Sequence, residues 1–121
     1  MLGATAEETS KLIRKSPTDS QRTITFDPVG RPQVSALLTT AGLVTGRRPE
    51  DIAAEISGAG AGALKAYVIE SVNAFLAEHR QRRAELARAM DFVRAVIHDC
   101  NAPANAIAQE TIAQVCTAVG L

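Results

Sequence analysis

Between Leu64 and Ile97 the sequence contains neither proline nor glycine. Its apolar residues Leu64, Val68, Val72 and Phe75, then Leu86, Met90, Val93 and Ile97, recur at steps of three and four. At 3.6 residues per turn they fall on one stripe, which predicts a single amphipathic helix over 64–97. Continuous, it would reach about 50 Å, so shorter helices are expected to pack around it. The stripe has one flaw: where the period asks for apolar side chains, His79 and Arg83 stand instead.

The 121 residues suffice for one domain with one modest core. Hydrophobic residues make up 46%, aromatics only 3%, and tryptophan is absent. Alanine and branched aliphatics must therefore do the packing, which favours close-packed helices over a sheet. Lys and Arg number 13 and Asp and Glu 13. A net charge of zero gives no global pull toward nucleic acid or membrane, so an anion site must arise locally. The two cysteines, Cys100 and Cys116, with no apolar leader in the N-terminal MLGATAEETSK, point to reduced thiols in a cytoplasmic protein. No segment reads as membrane-spanning.

In chain order, residues 4–15 predict a short helix, with Thr5 as cap, Glu7 and Glu8 in the first turn, and Lys11, Arg14 and Lys15 in the last. Pro17 and its polar neighbours end it. Residues 21–27 alternate through Ile24 and Phe26 as a short extended arm. After the turn Asp27-Pro28-Val29-Gly30, Pro32 opens a helix with Val34, Leu37, Leu38 and Ala41 inward, ending near Gly46. Pro49 opens another, with Ile52 and Ile56 inward. Gly58, Gly60 and Gly62 form a joint. Asn101-Ala102-Pro103 predicts a break before a last helix, whose face is Ile107, Thr111, Ile112, Val115 and Val119. The expected fold is all-α: one domain over 1–121, a bundle of about five helices with one long central helix. Leu64, Val68, Val72, Phe75, Leu86, Met90, Val93 and Ile97 should turn inward against Leu37, Leu38, Ile107, Ile112 and Val115.

No constellation reads as catalytic or metal-binding, and no cofactor is called for. The glycine stretch lacks the Lys-Ser/Thr of a phosphate loop, has Ala63 where a dinucleotide fingerprint wants glycine, and follows no strand. His98, Asp99 and Cys100 are sequence neighbours, which on a helix point to different faces. The candidates for binding are cationic. Arg80, Arg83 and Arg94 lie within roughly 60° of one another on a continuous helix, with His79 beside them, and Lys11, Arg14, Lys15 and Arg22 make a second cluster. Arg83 could pair internally with Asp19, Asp27 or Glu55, carry its charge to the surface, or meet a partner's acidic groups or RNA phosphates; the last is the reading adopted.

Taken together, Pro17-Thr18-Asp19-Ser20, the arm ending in Phe26-Asp27-Pro28, and RPQVSALLTTAGLVTGRRPEDI resemble the second half of bacterial tryptophanyl-tRNA synthetases. Those enzymes carry Thr-Asp-Ser, then Tyr-Asp-Pro, then Lys-Pro-Gly-Val-Ser-Asn-Leu-Leu, then Thr-Gly before an acidic helix. The glycine joint with Leu64-Lys65 is similar to their Gly-Tyr-Gly-x-Phe-Lys, and AIAQETIAQV to their Ala-Ile-Ala-x-x-Thr-Leu-x-x-Val. The similarity runs in order through almost the whole chain. Ala36 and Ala61 depart from the pattern, and Pro103 and Asn105 stand where the family often has basic residues.

The resemblance implies the helical, anticodon-receiving region of that family as a freestanding domain, without its ATP and tryptophan sites. Two functional readings follow. The first is a non-catalytic tRNA-binding module, for tryptophan tRNA in the first place, acting with a separate catalytic partner. The second is a protein-interaction module that kept the fold and lost the RNA, docking on a catalytic partner or on itself as a homo-oligomer. Neither involves a membrane.

Overall fold

The computed structural model describes residues 3–120; Met1, Leu2 and Leu121, the extreme ends of the terminal stretches read above, lie outside them. Six helices follow one another: α1 (Ala6–Lys15), α2 (Pro32–Thr45), α3 (Pro49–Ile56), α4 (Gly60–Phe75), α5 (Ala77–Arg88) and α6 (Met90–Val119). No strand occurs among the described residues. The all-α expectation holds, but the single long central helix does not. The stretch 64–97 is shared among α4, α5 and the start of α6. Leu76 closes α4 at φ −85°, ψ −2°, and Ala89, at φ −105°, ψ 48°, leaves the helical region between α5 and α6. The chain forms two compact units, one ending at Arg80 and the other beginning at Gln81.

The first unit holds the core. Ile24, Val34, Leu37, Leu38, Ala41, Ile52, Ala53, Ile56, Leu64 and Val68 are buried together, and Ile13, Phe26, Tyr67 and Val72 pack against them. The hub is α2, which packs on both α3 and α4, while α1 lies on α4. Each large aliphatic side chain buried here is worth about 1.5–3 kcal/mol. The helix ends follow local chemistry. Thr5 and Glu8 form a reciprocal capping box, with Glu8 N–H donating to Thr5 Oγ1 at 3.1 Å and Thr5 N–H to Glu8 Oε2 at 2.8 Å. Proline opens α2 and α3 at Pro32 and Pro49. The segment 21–27 forms no ladder and bends at Arg22 and Thr23, so the expected extended arm is not formed as a strand; the Ile24 N–H donates to the Ser57 carbonyl at 3.0 Å, and the Ile24 side chain is buried in the core.

The second unit corrects two expectations. Leu86, Met90, Ile97, Ile107, Ile112 and Val115 are all exposed, and no residue of α5 or α6 is buried; in the first unit Phe75, the last residue of α4, is exposed as well. The chain also does not break at Asn101-Ala102-Pro103, because α6 runs through Pro103. The proline removes one helical donor, the one that would serve the Asp99 carbonyl, and Ala102, Ala104, Ala106 and Ala108 around it are the strongest helix formers.

Candidate nucleic-acid interface

Cations collect where the end of α1 meets the start of α4. Lys11, Arg14 and Lys15 are spaced to share one face of α1 and are exposed. The Lys65 ammonium on α4 donates to the Arg14 carbonyl at 3.1 Å, so it caps the carbonyl end of α1 and stays beside the Arg14 side chain. Arg14 and Lys65 line one shallow groove together with Gly62, Ala66, Ile69 and the carboxylate-bearing Glu70. Gly60, the first residue of α4, sits at φ +78°, and a methyl group there would lie 3.8 Å from Arg22 Cγ. No side chain caps the N-terminus of α4. Its first-turn N–H groups, the positive end of the helix dipole, thus lie next to the Arg22 stem, with Lys65 in the following turn. Uncapped donors with flanking cations are the arrangement that holds phosphate oxygens. Lys11, Arg14, Lys15, Arg22 and Lys65 have no ion-pair partner among the described residues.

The residues of the other predicted strip fall on two helices, Arg80 and Arg83 on α5 and Arg94 on α6. The guanidinium of Arg80 is committed within the first unit: Nε donates to the Ala4 carbonyl, Nη1 to Asn73 Oδ1 and Nη2 to Thr9 Oγ1, each at 3.0 Å. Asn73 Nδ2 in turn donates to Ser10 Oγ at 3.2 Å. Arg80 therefore holds α1 in place. Arg94 lies beyond the interruption at Ala89, with its Nη1 3.4 Å from Asp91 on an exposed stretch of α6. His79 and Arg83 are exposed on α5. The carboxylates considered for Arg83 are engaged elsewhere: Glu55 with Arg47 at 2.7 Å, Asp27 with the N–H groups of Val29 and Gly30, and Asp19 with Arg31.

Arg31 was not singled out by sequence reasoning, yet it is the most heavily bonded cation. It is only 7% exposed. Its Nε and Nη2 donate to the two Asp19 oxygens at 2.7 and 2.6 Å, and Nη1 donates to the Thr23 carbonyl at 2.6 Å and to Thr25 Oγ1 at 2.8 Å. The paired guanidinium holds the Asp19 carboxyl below the usual range, against a smaller opposing effect of burial. The contact fastens the arm to the start of α2. Its only signal in the sequence is that the Thr-Asp-Ser and Arg-Pro pieces of the resemblance occur together.

On α6, His98 Nδ1 and Asp99 Oδ1 come within 3.4 Å, both highly exposed, with Cys100 exposed beside them. No group of three or more His, Cys, Asp or Glu side chains placed to hold a metal occurs among the described residues. Among those residues, no helix is long and apolar enough to cross a membrane.

No protein-family model matches the chain. It is similar to the tryptophan–tRNA ligase of Wolinella succinogenes, with 33% identity over 119 residues, 97% of this chain and 35% of that protein. It is 32% identical over 114 residues to the tryptophan–tRNA ligase of a Synechocystis species, covering 94% of this chain and 34% of the ligase. With that of a Nostoc species it shares 28% over 114 residues, again 94% and 34%. The chain spans about a third of the length of these relatives.

Proposed function

The chain is a homologue of tryptophan–tRNA ligases over about a third of their length, and we propose that it is a tRNA-binding module whose contact surface is the α1–α4 junction. The observation that carries this reading is the Lys65–Arg14 contact, which gathers unpaired cations at the uncapped start of α4. In a chain of zero net charge, such a local concentration is what phosphates would select. Tryptophan tRNA is the first candidate, since the relatives are named for it. His79 and Arg83 on α5 are kept as separate candidates for RNA contact; Arg80 is assigned to structure. We assign no catalytic step to this segment. Amino-acid activation falls to a catalytic partner, in the cytoplasm.

The test is retention of tRNA on a filter at increasing salt. The logarithm of affinity should fall linearly with the logarithm of salt concentration, and Arg14→Ala with Lys65→Ala should lower the slope by up to about 2. Absence of binding at low salt would refute the reading. The protein-interaction alternative is favoured by a different observation, the exposed apolar residues of α6.

A further inference from the structure

We propose that Thr9 is a phosphorylation site, and that a phosphoryl group there locks α1 to the start of α5 through Arg80. This goes beyond the tRNA reading and does not depend on it. The motive is a cation without an anion. Arg31 and Arg47 each meet a carboxylate, of Asp19 and Glu55. Arg80 is half-buried too, yet it bonds only neutral acceptors: the Ala4 carbonyl, Asn73 Oδ1 and Thr9 Oγ1. No carboxylate pairs with it among the described residues. A guanidinium carries one N–H at Nε and two at each Nη. The second N–H on Nη1 and on Nη2 of Arg80 finds no acceptor among the described residues. Thr9 Oγ1 accepts from Arg80, and its own hydroxyl hydrogen likewise goes to no described acceptor.

A phosphoryl group on Oγ1 brings acceptor oxygens within reach of those spare donors, and opposite charges make such bonds short and strong. There is room for it. Thr9 lies at a shallow groove of about 400 Å³ with Ala4, Leu12, Ile13, Thr40, Val72 and Leu76, none of them acidic. Glu8, its acidic neighbour on α1, is turned back onto the Thr5 N–H. Thr9 also stands in the opening turn of α1, at the positive end of the helix dipole, where added negative charge is favoured. Ser10 is the contrast. Its Oγ donates to the Ala6 carbonyl at 2.7 Å and accepts from Asn73 Nδ2 at 3.2 Å, with no cation bonded to it. A phosphate there loses the hydrogen that serves Ala6 and crowds Asn73. No residue of α1 is fully buried, so the helix opens at low cost and presents Thr9 to an enzyme. In the transfer, Thr9 Oγ1 bonds to the γ-phosphorus of a nucleoside triphosphate held by a separate protein kinase. The bond from that phosphorus to the bridging oxygen breaks, the diphosphate leaves, and the hydroxyl proton passes to the kinase's base.

The test uses the full chain with phosphothreonine introduced at position 9 during translation. Hydrogen exchange in α1 should slow at least about tenfold against the unmodified chain. The phosphorus resonance should titrate below the ordinary second phosphate pKa of about 6, because Arg80 favours the dianion. Arg80→Gln should restore that ordinary value and abolish the slowing. Should that variant not fold, Arg80→Lys keeps the charge without the fork and should give an intermediate titration. Phosphoserine at position 10 should speed α1 exchange instead. Chain captured from the organism's own cells should carry phosphatase-sensitive phosphate on Thr9, and Thr9→Val should lack it. Exchange in α1 that is unchanged or faster with phosphothreonine at position 9 overturns the proposal. So does a titration indifferent to Arg80, phosphate found only on Ser10, or no phosphate on Thr9 in growing, stationary and starved cells alike.

Discussion

Arg31 and Asp19 face each other across twelve residues of chain with two parallel hydrogen bonds, 2.7 and 2.6 Å long, and Arg31 is almost enclosed. The pair is the fastening between the arm and α2. A bidentate fork on a carboxylate is geometry that lysine cannot reproduce.

Because that contact lowers the Asp19 pKa in the folded chain, its contribution has a defined pH sense. The folded value lies below the unfolded one, near about 3.9. Its stabilisation is complete above the unfolded value and is lost as pH falls through the folded value. Urea midpoints measured from about pH 6 down to about pH 2 should drop on the acid side. Asp19→Asn should start lower and descend less steeply. Glu8, lowered by its backbone bond to Thr5, keeps part of the acid limb in both proteins. Parallel curves would mean that the Asp19 pair contributes nothing.

Two leucines separate core from surface. Leu64 is fully buried, whereas Leu43 on α2 is exposed. Leu64→Ala should cost about 2–5 kcal/mol, and Leu43→Ala should stay within about 0.5 kcal/mol. Denaturant melts of the two variants check the assignment.

Arg80 and Arg83 should behave oppositely although they are three residues apart. Arg80→Ala removes the bonds to Ala4, Thr9 and Asn73 and should cost about 1–3 kcal/mol, leaving part-buried acceptors unpaired. Amide exchange in α1 should accelerate. Arg83→Ala should leave melting and α1 protection unchanged. Equal effects from both would remove the anchoring role of Arg80.

Gly60 should resist substitution for a reason of backbone, not of space. Its φ is +78°, while the nearest atom to an added methyl would be 3.8 Å away. Gly60→Ala should therefore cost about 1–2 kcal/mol through the left-handed conformation alone. An unchanged melting midpoint would show that the turn relaxes freely.

Much of the first unit was legible in the sequence. Thr5 with Glu8, Pro32, Pro49 and Gly46 mark helix ends by local chemistry, and Val34, Leu37, Leu38, Ile52, Ile56, Leu64 and Val68 follow helical spacing into the core. What was not legible depends on distant partners. Arg80 reads as one more exposed arginine until Ala4 and Thr9, more than seventy residues earlier, are brought beside it. Arg31 is the same case over a shorter span. The interruption at Ala89 comes without proline or glycine, and we have no physical account of it from local sequence. The helix also continues through Pro103, against the usual breaking effect of proline, and local sequence gives no physical account of it. For the candidate interface, Lys11, Arg14 and Lys15 were readable as one face of α1; Lys65 was not, because its bond to the Arg14 carbonyl is a tertiary fact.

Tyr67 is the sole tyrosine of a chain without tryptophan. It packs at the edge of the core, and its hydroxyl accepts a bond from Arg47 Nη1 at 3.2 Å. Ultraviolet emission therefore arises in the first unit and is blind to α6, whereas far-ultraviolet circular dichroism counts every residue of α6 at full weight. Melting curves recorded by the two signals on one sample should separate.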